Sequence, residues 1–334
     1  MKSMWMVRAG QKAMFIEEFR EKSSVAIGWG LLDDLTEMRS QAEVAKAIRL
    51  SWPDWTPAKV RMSASQVFRF AHDIQRGDWV ISYDPQSRAY LLGTVISDYQ
   101  YLPNAVADWC HIRKVEWQTE VDRDVLSTST KNSLGAISTL FRVPDEAAME
   151  IEAAARGERR TISDQAGADV PDSAAEEIDL LEDIEERARE FIKDKISSLD
   201  WDEMQELVAG ILRAMGYKTE VSPHGPDRGK DIVASPDGFG FESPRIIVEV
   251  KHRKGQMGAQ AIRSFLGGRH KDDKGLYVST GGFSKDAHYE AERANIPITL
   301  LTLDGLVSKM IEHYDQIDPE IQRLVPLKKV YWPV

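Results

Sequence analysis

A single cysteine, Cys110, in 334 residues excludes an intramolecular disulfide framework and any zinc site built on paired cysteines. No stretch approaches the roughly 20 consecutive apolar residues of a membrane span. The opening MKSMWMVRAG lacks the charged-then-apolar pattern and the small-residue cleavage site of a secretion signal. The expected location is therefore cytoplasmic, without membrane contact, and Cys110 is read as a packing residue. Positive charge is also in short supply. With 43 Lys and Arg against 54 Asp and Glu, the formal charge is −11, which argues against a uniformly basic nucleic-acid-binding surface.

What is present is the composition of a soluble globular protein, 42% hydrophobic and 29% charged, in a chain too long for one ordinary core. The charge is unevenly spread. Residues 176–190 (EEIDLLEDIEERARE) are dominated by acids. Residues 245–274 hold Arg245, Lys251, Arg253, Lys254, Arg263, Arg269, Lys271 and Lys274 against Glu249, Asp272 and Asp273.

Residues 1–126 read as β-rich. WMVRAG, VAIGW, GDWVISYD, AYLLGTVISDYQY and HIRKVEWQTEV are strand-like, and RSQAEVAKAIRLSW and SQVFRFAHDI have helical spacing. Seven of the nine tryptophans fall here. Residues 127–175 are read as a linker containing one short helix, because RGERRTISDQAGADVPDSAA is polar and aperiodic. Residues 176–334 alternate regularly, and the predicted order is α-β-β-β-α-β-α-β-α after a first acidic helix. Antiparallel pairing at the start gives way to parallel crossovers in one mixed sheet. Asp200 and Glu203 predict a capping box ahead of WDEMQELVAGILRAM. No internal repeat is visible.

The chemistry concentrates in two predicted strands. In RIIVEVKHR, Ile247, Glu249 and Lys251 share one face. A central strand does not ordinarily turn a carboxylate and an ammonium into a covered face, because burying unpaired charge is costly. Asp231 opens the preceding strand, and a hairpin would set it beside Glu249. Two carboxylates there form an oxygen-only set suited to Mg²⁺, with Mn²⁺ as a substitute. Lys251 is then placed to orient an attacking hydroxide or stabilise a pentacovalent phosphate. On spacing alone, a solvent-facing Glu249–Lys251 ion pair with Asp231 as a turn residue explains the pattern equally well.

The stretches WDEMQELVAGILRAMGYKTE, GPDRGKDIVAS, RIIVEVKHRKG, IRSFLGG, LYVSTGGFSKDAHYEA and IPITLLTLDGL together resemble the Mrr-type catalytic domain of the PD-(D/E)xK restriction endonuclease superfamily, over residues 198 to about 307. The resemblance implies an α/β fold with an αβββαβ core, a metal-binding aspartate at Asp231, an acidic ligand at Glu249 and the family lysine at Lys251. It also sets Gly225, Asp227 and Gly229 on the approach to the aspartate. Where members often carry Phe-Glu, this chain has Met204-Gln205, so a third carboxylate would have to be Glu203 or Glu206. Gln260 is a candidate phosphate or water contact, and Thr280-Gly281-Gly282-Phe283-Ser284 a candidate amide cradle for phosphate. His224, His252 and His270 lack metal-like spacing.

The first half is similar to the EVE/PUA-like domains that accompany some Mrr-type nucleases. That resemblance implies a β-barrel reader of modified bases, which holds an extruded nucleotide against aromatic walls. Trp5, Trp29, Tyr99, Tyr101 and Trp109 are the candidate walls, and each of them would serve as readily in a hydrophobic core. The combined expectation is a modification-dependent endonuclease acting on double-stranded DNA as a homodimer or larger assembly. A repair nuclease for damaged or branched DNA and a catalytically silent nucleic-acid adaptor are the alternatives.

Overall fold

The computed structural model describes residues 2–135, 138–158, 177–222, 231–267 and 269–330, the side chains of 177–183 excepted. Contacts divide the chain into two compact units, Met1–Arg187 and Ala188–Pro333.

In the first unit the strands are β1 (Met4–Val7), β2 (Ser24–Ile27), β3 (Trp79–Asp84), β4 (Ala89–Val95), β5 (Gln100–Val106), β6 (Trp109–Asp122) and β7 (Leu140–Arg142). Among the described residues they form one sheet in the order β2-β6-β4-β3-β1-β7, with β5 also on β6. The long β6 makes this possible, since its first residues pair with β2 and β5 and its remainder with β4. Helices α1 (Ile16–Glu21), α2 (Gln41–Ser51) and α3 (Pro57–Phe68) accompany it, followed by α4 (Thr128–Leu134) and α5 (Asp145–Ala155). Alternation along the strands divides the apolar side chains between two cores. Trp5, Val7, Val80 and Leu91 join Val44, Ile48, Val60 and Val67 of α2 and α3 in one. Met4, Met6, Ile81 and Leu92 join Leu134, Ala147 and Ile151 of α4 and α5 in the other.

The sheet is curled, in keeping with the β-rich fold expected for this half. Two finer expectations need correction. The segment AYLLGTVISDYQY is two strands, β4 and the start of β5, rather than one. Much of the expected linker is folded. Ser127 caps α4 by accepting from Thr130 N, β7 pairs with β1, and α5 closes the second core. The polar composition of STSTKNSL hid a capped helix, because Ser and Thr favour caps and disfavour helix interiors. The rest of that segment, 159–176, lies outside the described residues.

The second unit follows the predicted element order. After α6 (Glu177–Ser197) come α7 (Trp201–Ala214), β8 (Lys218–Val221), β9 (Ile232–Ser235), β10 (Arg245–Lys251), α8 (Ala259–Leu266), β11 (Asp273–Ser279), α9 (Lys285–Glu292), β12 (Ile298–Thr302), α10 (Leu303–His313) and the short α11 (Pro319–Gln322). The strand order is β12-β11-β10-β9-β8, antiparallel through β8-β9-β10 and parallel through β10-β11-β12. Both halves of the predicted capping box at Asp200 and Glu203 are present. Helix α7 buries Met204, Leu207, Val208, Ile211 and Leu212, each contributing about 1.5–3 kcal/mol relative to exposure. It ends ahead of Gly216, whose φ of 97° suits a glycine beyond a helix terminus. Val248 and Val250 of β10 face the core shared with α7 and α10, while Ile247 faces Phe265, Tyr277 and Phe283 under α8 and α9. The strand that carries Glu249 and Lys251 is thus covered on both faces.

Candidate active site

Asp231 directly precedes β9, whose first residue, Ile232, pairs with Val248. Its backbone N–H donates to the Val248 carbonyl at 2.9 Å, and its Oδ2 accepts the Val250 N–H at 2.6 Å. The Asp231 carboxylate therefore lies against the peptide that links Glu249 to Val250. Asp231 is 3% and Glu249 8% exposed. Lys251 Nζ sits 2.8 Å from Glu249 Oε1. The hairpin thus brings all three residues together. Their burial removes the solvent-facing ion pair as an explanation, since a surface pair would leave the carboxylates in water.

Tyr277, across from Glu249 on β11, donates from its hydroxyl to Glu249 Oε1 at 3.4 Å. Burial, reinforced by the Glu249 charge, pushes the Tyr277 hydroxyl well above its ordinary value, so it remains a donor. Sequence reasoning missed this residue, although its pairing follows from aligning LYVST beside VEVK. Ser279 lies opposite Lys251, fully buried, with an Oγ that has no partner among the described residues. Two adjacent, nearly buried carboxylates with one lysine form a hard-oxygen donor set, and that set fits a divalent cation such as Mg²⁺.

The neighbouring loops are tightly built. Met257 bridges to Phe283, its N–H donating to Gly282 O and its carbonyl accepting from Ser284 N. A Cβ on Gly281 would come within 2.3 Å of the Gly255 carbonyl oxygen, so only glycine fits there. The amides of Thr280, Gly282 and Ser284 donate to Lys251, Ser279 and Met257 respectively. Those three donors are therefore already committed, contrary to the expected phosphate cradle. Gln260 is exposed near the start of α8. Glu203 is engaged in the capping box and Glu206 pairs with Arg213 at 3.2 Å. Gln205 is 1% exposed, and its Nε2 has no partner among the described residues. His252 Nε2 donates to Leu199 O at 2.8 Å, while His270 is an exposed loop residue. His224, Gly225, Asp227 and Gly229 lie outside the described residues.

The basic stretch is less free than its composition suggests. Arg245 pairs with Asp273, Lys251 with Glu249 and Arg263 with Glu290.

In the first unit the aromatic candidates separate. Trp5 is 5% exposed in the core and donates from Nε1 to Asp78, so it walls no open pocket. Trp29, Tyr99, Tyr101 and Trp109 are half-buried and gather around the β2 end and the β5–β6 hairpin. At their centre is His111, fully buried and also unanticipated. The Tyr99 hydroxyl meets His111 Nδ1 at 2.7 Å and accepts from Leu35 N at 3.3 Å; His111 Nε2 faces the Trp29 carbonyl at 3.4 Å. This assigns a neutral imidazole with its proton on Nε2. Burial, only partly offset by the Trp29 carbonyl and Asp34, holds the His111 pKa below its ordinary value. Tyr101 rests on the His111 ring with centroids 5.4 Å apart, and Trp109 packs edge-on against Phe15 at 4.8 Å.

Among the described residues, no helix is long and apolar enough to cross a membrane. Comparison with known proteins matches residues 196–310 to the Mrr catalytic-domain family, described as a restriction endonuclease, and residues 5–143 to a domain family of unknown function. The expected EVE/PUA-like relationship thus finds no support in the family match. An uncharacterized protein of Sinorhizobium fredii, y4cE, is 29% identical over 98 residues, which covers 28% of this chain and 25% of that protein. The match spans about a quarter of that relative's length. Similar solved structures include the MspJI restriction endonuclease in complex with a 27-mer oligonucleotide, at 13% identity and a TM-score of 0.28, covering 91% of this chain and 74% of that one. Another is the DNA modification-dependent restriction endonuclease AspBHI, at 14% identity and a TM-score of 0.31, covering 81% and 75%. Residues 196–310 thus match the restriction endonuclease catalytic-domain family, and residues 5–143 of the same chain match a domain family that carries no functional description.

Proposed function

We propose that this chain is a modification-dependent restriction endonuclease that hydrolyses DNA phosphodiester bonds with Mg²⁺, or Mn²⁺ in its place, and reads a modified base through its first unit. The observation that carries the reading is the meeting of Asp231, Glu249 and Lys251 at one nearly buried point of a restriction endonuclease domain. Asp231 and Glu249 would hold the cation. When bound, it lowers the pKa of water and neutralises charge on the scissile phosphate. Lys251, on the same strand, orients the nucleophile and stabilises charge on the phosphate as it is attacked. Tyr277 fixes the Glu249 carboxylate from below. The reader role rests on the half-buried Trp29, Tyr99, Tyr101 and Trp109 around His111, a polar and aromatic environment suited to an extruded base.

The test is cleavage of otherwise identical plasmids, with and without cytosine or adenine modification, in Mg²⁺ and in EDTA. Cleavage should require both the metal and a modification. Asp231→Asn, Glu249→Gln and Lys251→Ala should each lower the rate by at least a hundredfold without lowering the melting temperature. Mg²⁺ should raise the melting temperature of the wild type by linkage but not that of Asp231→Asn or Glu249→Gln. Wild-type cutting by any of the three variants would remove the site assignment. Equal cutting of modified and unmodified DNA would remove the reader.

A further inference from the structure

Ser279 ends β11 and is fully buried, yet its Oγ has no hydrogen-bond partner among the described residues. A buried hydroxyl without a partner is unfavourable, and alanine would fill the same strand position without that penalty. The residue is also held firmly. Thr280 N donates to the Lys251 carbonyl at 3.1 Å, and Gly282 N donates to the Ser279 carbonyl at 3.4 Å. These bonds tie the end of β11 to the end of β10 and fix Ser279 beside Lys251.

In the parallel ladder of β10 and β11, Ser279 pairs with Lys251 and Tyr277 with Glu249. Alternation puts these four side chains on one face, in agreement with the Tyr277–Glu249 hydrogen bond at 3.4 Å. The Lys251 ammonium does not stand at its own level. It reaches back two residues, about 7 Å along the strand at roughly 3.3 Å per residue, to Glu249 Oε1 at 2.8 Å. Lys251 thus engages a carboxylate proposed to bind the cation. A cation on Glu249 would repel the ammonium and compete for its oxygens, so Lys251 would need another acceptor. At the level of Lys251, the side chain that β11 supplies is the unpartnered Ser279 hydroxyl.

We propose that Ser279 is a positioning residue for Lys251, its hydroxyl accepting the ammonium once Glu249 engages a divalent cation. The proposal rests on the reading of Asp231 and Glu249 as the cation's ligands. The exchange moves the ammonium from Glu249 toward the carboxyl ends of β10 and β11, the edge of parallel strands at which ligands gather. There the lysine can meet a phosphate instead of neutralising the carboxylate that holds the metal. A serine selected only for its small size would depend neither on Lys251 nor on a cation.

The experiment is Mn²⁺ binding to the full-length chain without DNA, followed by the electron paramagnetic resonance of the free ion. It compares the wild type, Ser279→Ala, Lys251→Met and the double variant. Ser279→Ala should weaken Mn²⁺ binding about three- to tenfold, as expected for a contact made in only one of the two states. In the Lys251→Met background the same change should lower affinity less than about twofold, because the ammonium it serves is gone. In EDTA, Ser279→Ala should melt no lower than the wild type, since the hydroxyl it removes has no partner in the cation-free protein. Ser279→Cys, which fills the space with a weak acceptor, should follow the alanine variant. Equal Mn²⁺ affinity in the wild type and Ser279→Ala would overturn the proposal, as would an equal loss with and without Lys251. A lower melting temperature of Ser279→Ala in EDTA would also overturn it, by showing that the hydroxyl is already bonded. No Mn²⁺ binding by the wild type would remove the cation reading and this proposal with it. Cutting is read separately. A chain that shows the Lys251-dependent loss but leaves DNA intact loses the nuclease reading alone.

Discussion

His111 has both ring nitrogens committed to neutral partners inside a core. Tyr99 donates to Nδ1, and Nε2 donates to the Trp29 carbonyl. A proton added at Nδ1 would turn that acceptor into a donor and bury a charge. Because burial depresses the folded-state pKa below 6.5, the unfolded chain binds this proton first. The stability His111 contributes is therefore complete above pH 6.5 and is lost as the pH falls through the folded value. Most tryptophans lie in this unit, so fluorescence-detected melting reports on it. Its melting temperature should drop between pH 7.5 and pH 5, and His111→Gln, though less stable at pH 7.5, should flatten that drop. An unchanged pH slope in the variant would mean that other groups carry the effect. Sequence alone gave His111 no distinction, since HIRKVEWQ reads as an ordinary strand. Only the pairing of β6 with β2 and β5 sets Trp29 and Tyr99 on either side of it.

At the level of elements, the second unit was legible almost throughout, because α7, α9 and α10 begin at side-chain caps and β9, β10 and β12 are rich in apolar residues. DIVAS and RIIVEVKHR could be aligned by eye, and with them Asp231 and Glu249. The first half was legible in its strands but not in their closure, which depends on long-range pairs such as β1 with β3 and β7. Helix α3 begins at Thr56 and Pro57, a cap and first-turn pair overlooked in favour of the later apolar spacing. The turn between β9 and β10 also escaped notice. There the Asp237 carboxylate accepts from the amides of Phe239, Gly240, Phe241 and Glu242 and from the Ser235 hydroxyl. Against a desolvation effect in the opposite direction, these bonds hold the Asp237 carboxyl well below the usual range. The turn presents Phe239 and Phe241 to solvent, 79% and 89% exposed. Chymotrypsin needs such a segment to extend before it can cut. Asp237→Ala should therefore speed cleavage after Phe239 and Phe241 several-fold under native conditions, as followed by mass spectrometry. Equal rates would show that the network does not hold the loop.

Across the whole molecule, each chain carries one Asp231–Glu249–Lys251 cluster, and under the proposed function one such cluster would serve one strand. A double-strand break is then most simply made by two chains, and we expect dimers or larger assemblies on DNA. Along the apolar side of the acidic α6, Ile184 and Ala188 are exposed, Phe191 is half-buried and Ile192 is buried in a core. Linearisation of plasmid should rise more steeply than first order in enzyme, and light scattering with duplex and Mg²⁺ should give at least twice the 37.7 kDa chain mass. A monomer that linearises DNA with first-order dependence would contradict this.

Strand β10 is apolar on both faces, and that has a consequence for alignment. A strand with one buried face is locked in place, because slipping by one residue exposes its whole apolar set. Ile246, Ile247, Val248 and Val250 would remain covered after such a slip, so burial penalises misalignment of β10 only weakly. What distinguishes the correct alignment is polar: Asp231 against the Val250 amide at one end of the hairpin, and the Asp237 turn at the other. The aspartate proposed to hold the metal also tells the strand where to stop sliding. A single residue inserted between Ser235 and Arg245 would leave a sheet that still buries its hydrocarbon but has lost its place, with the lysine and glutamate turned away from the aspartate that should meet them.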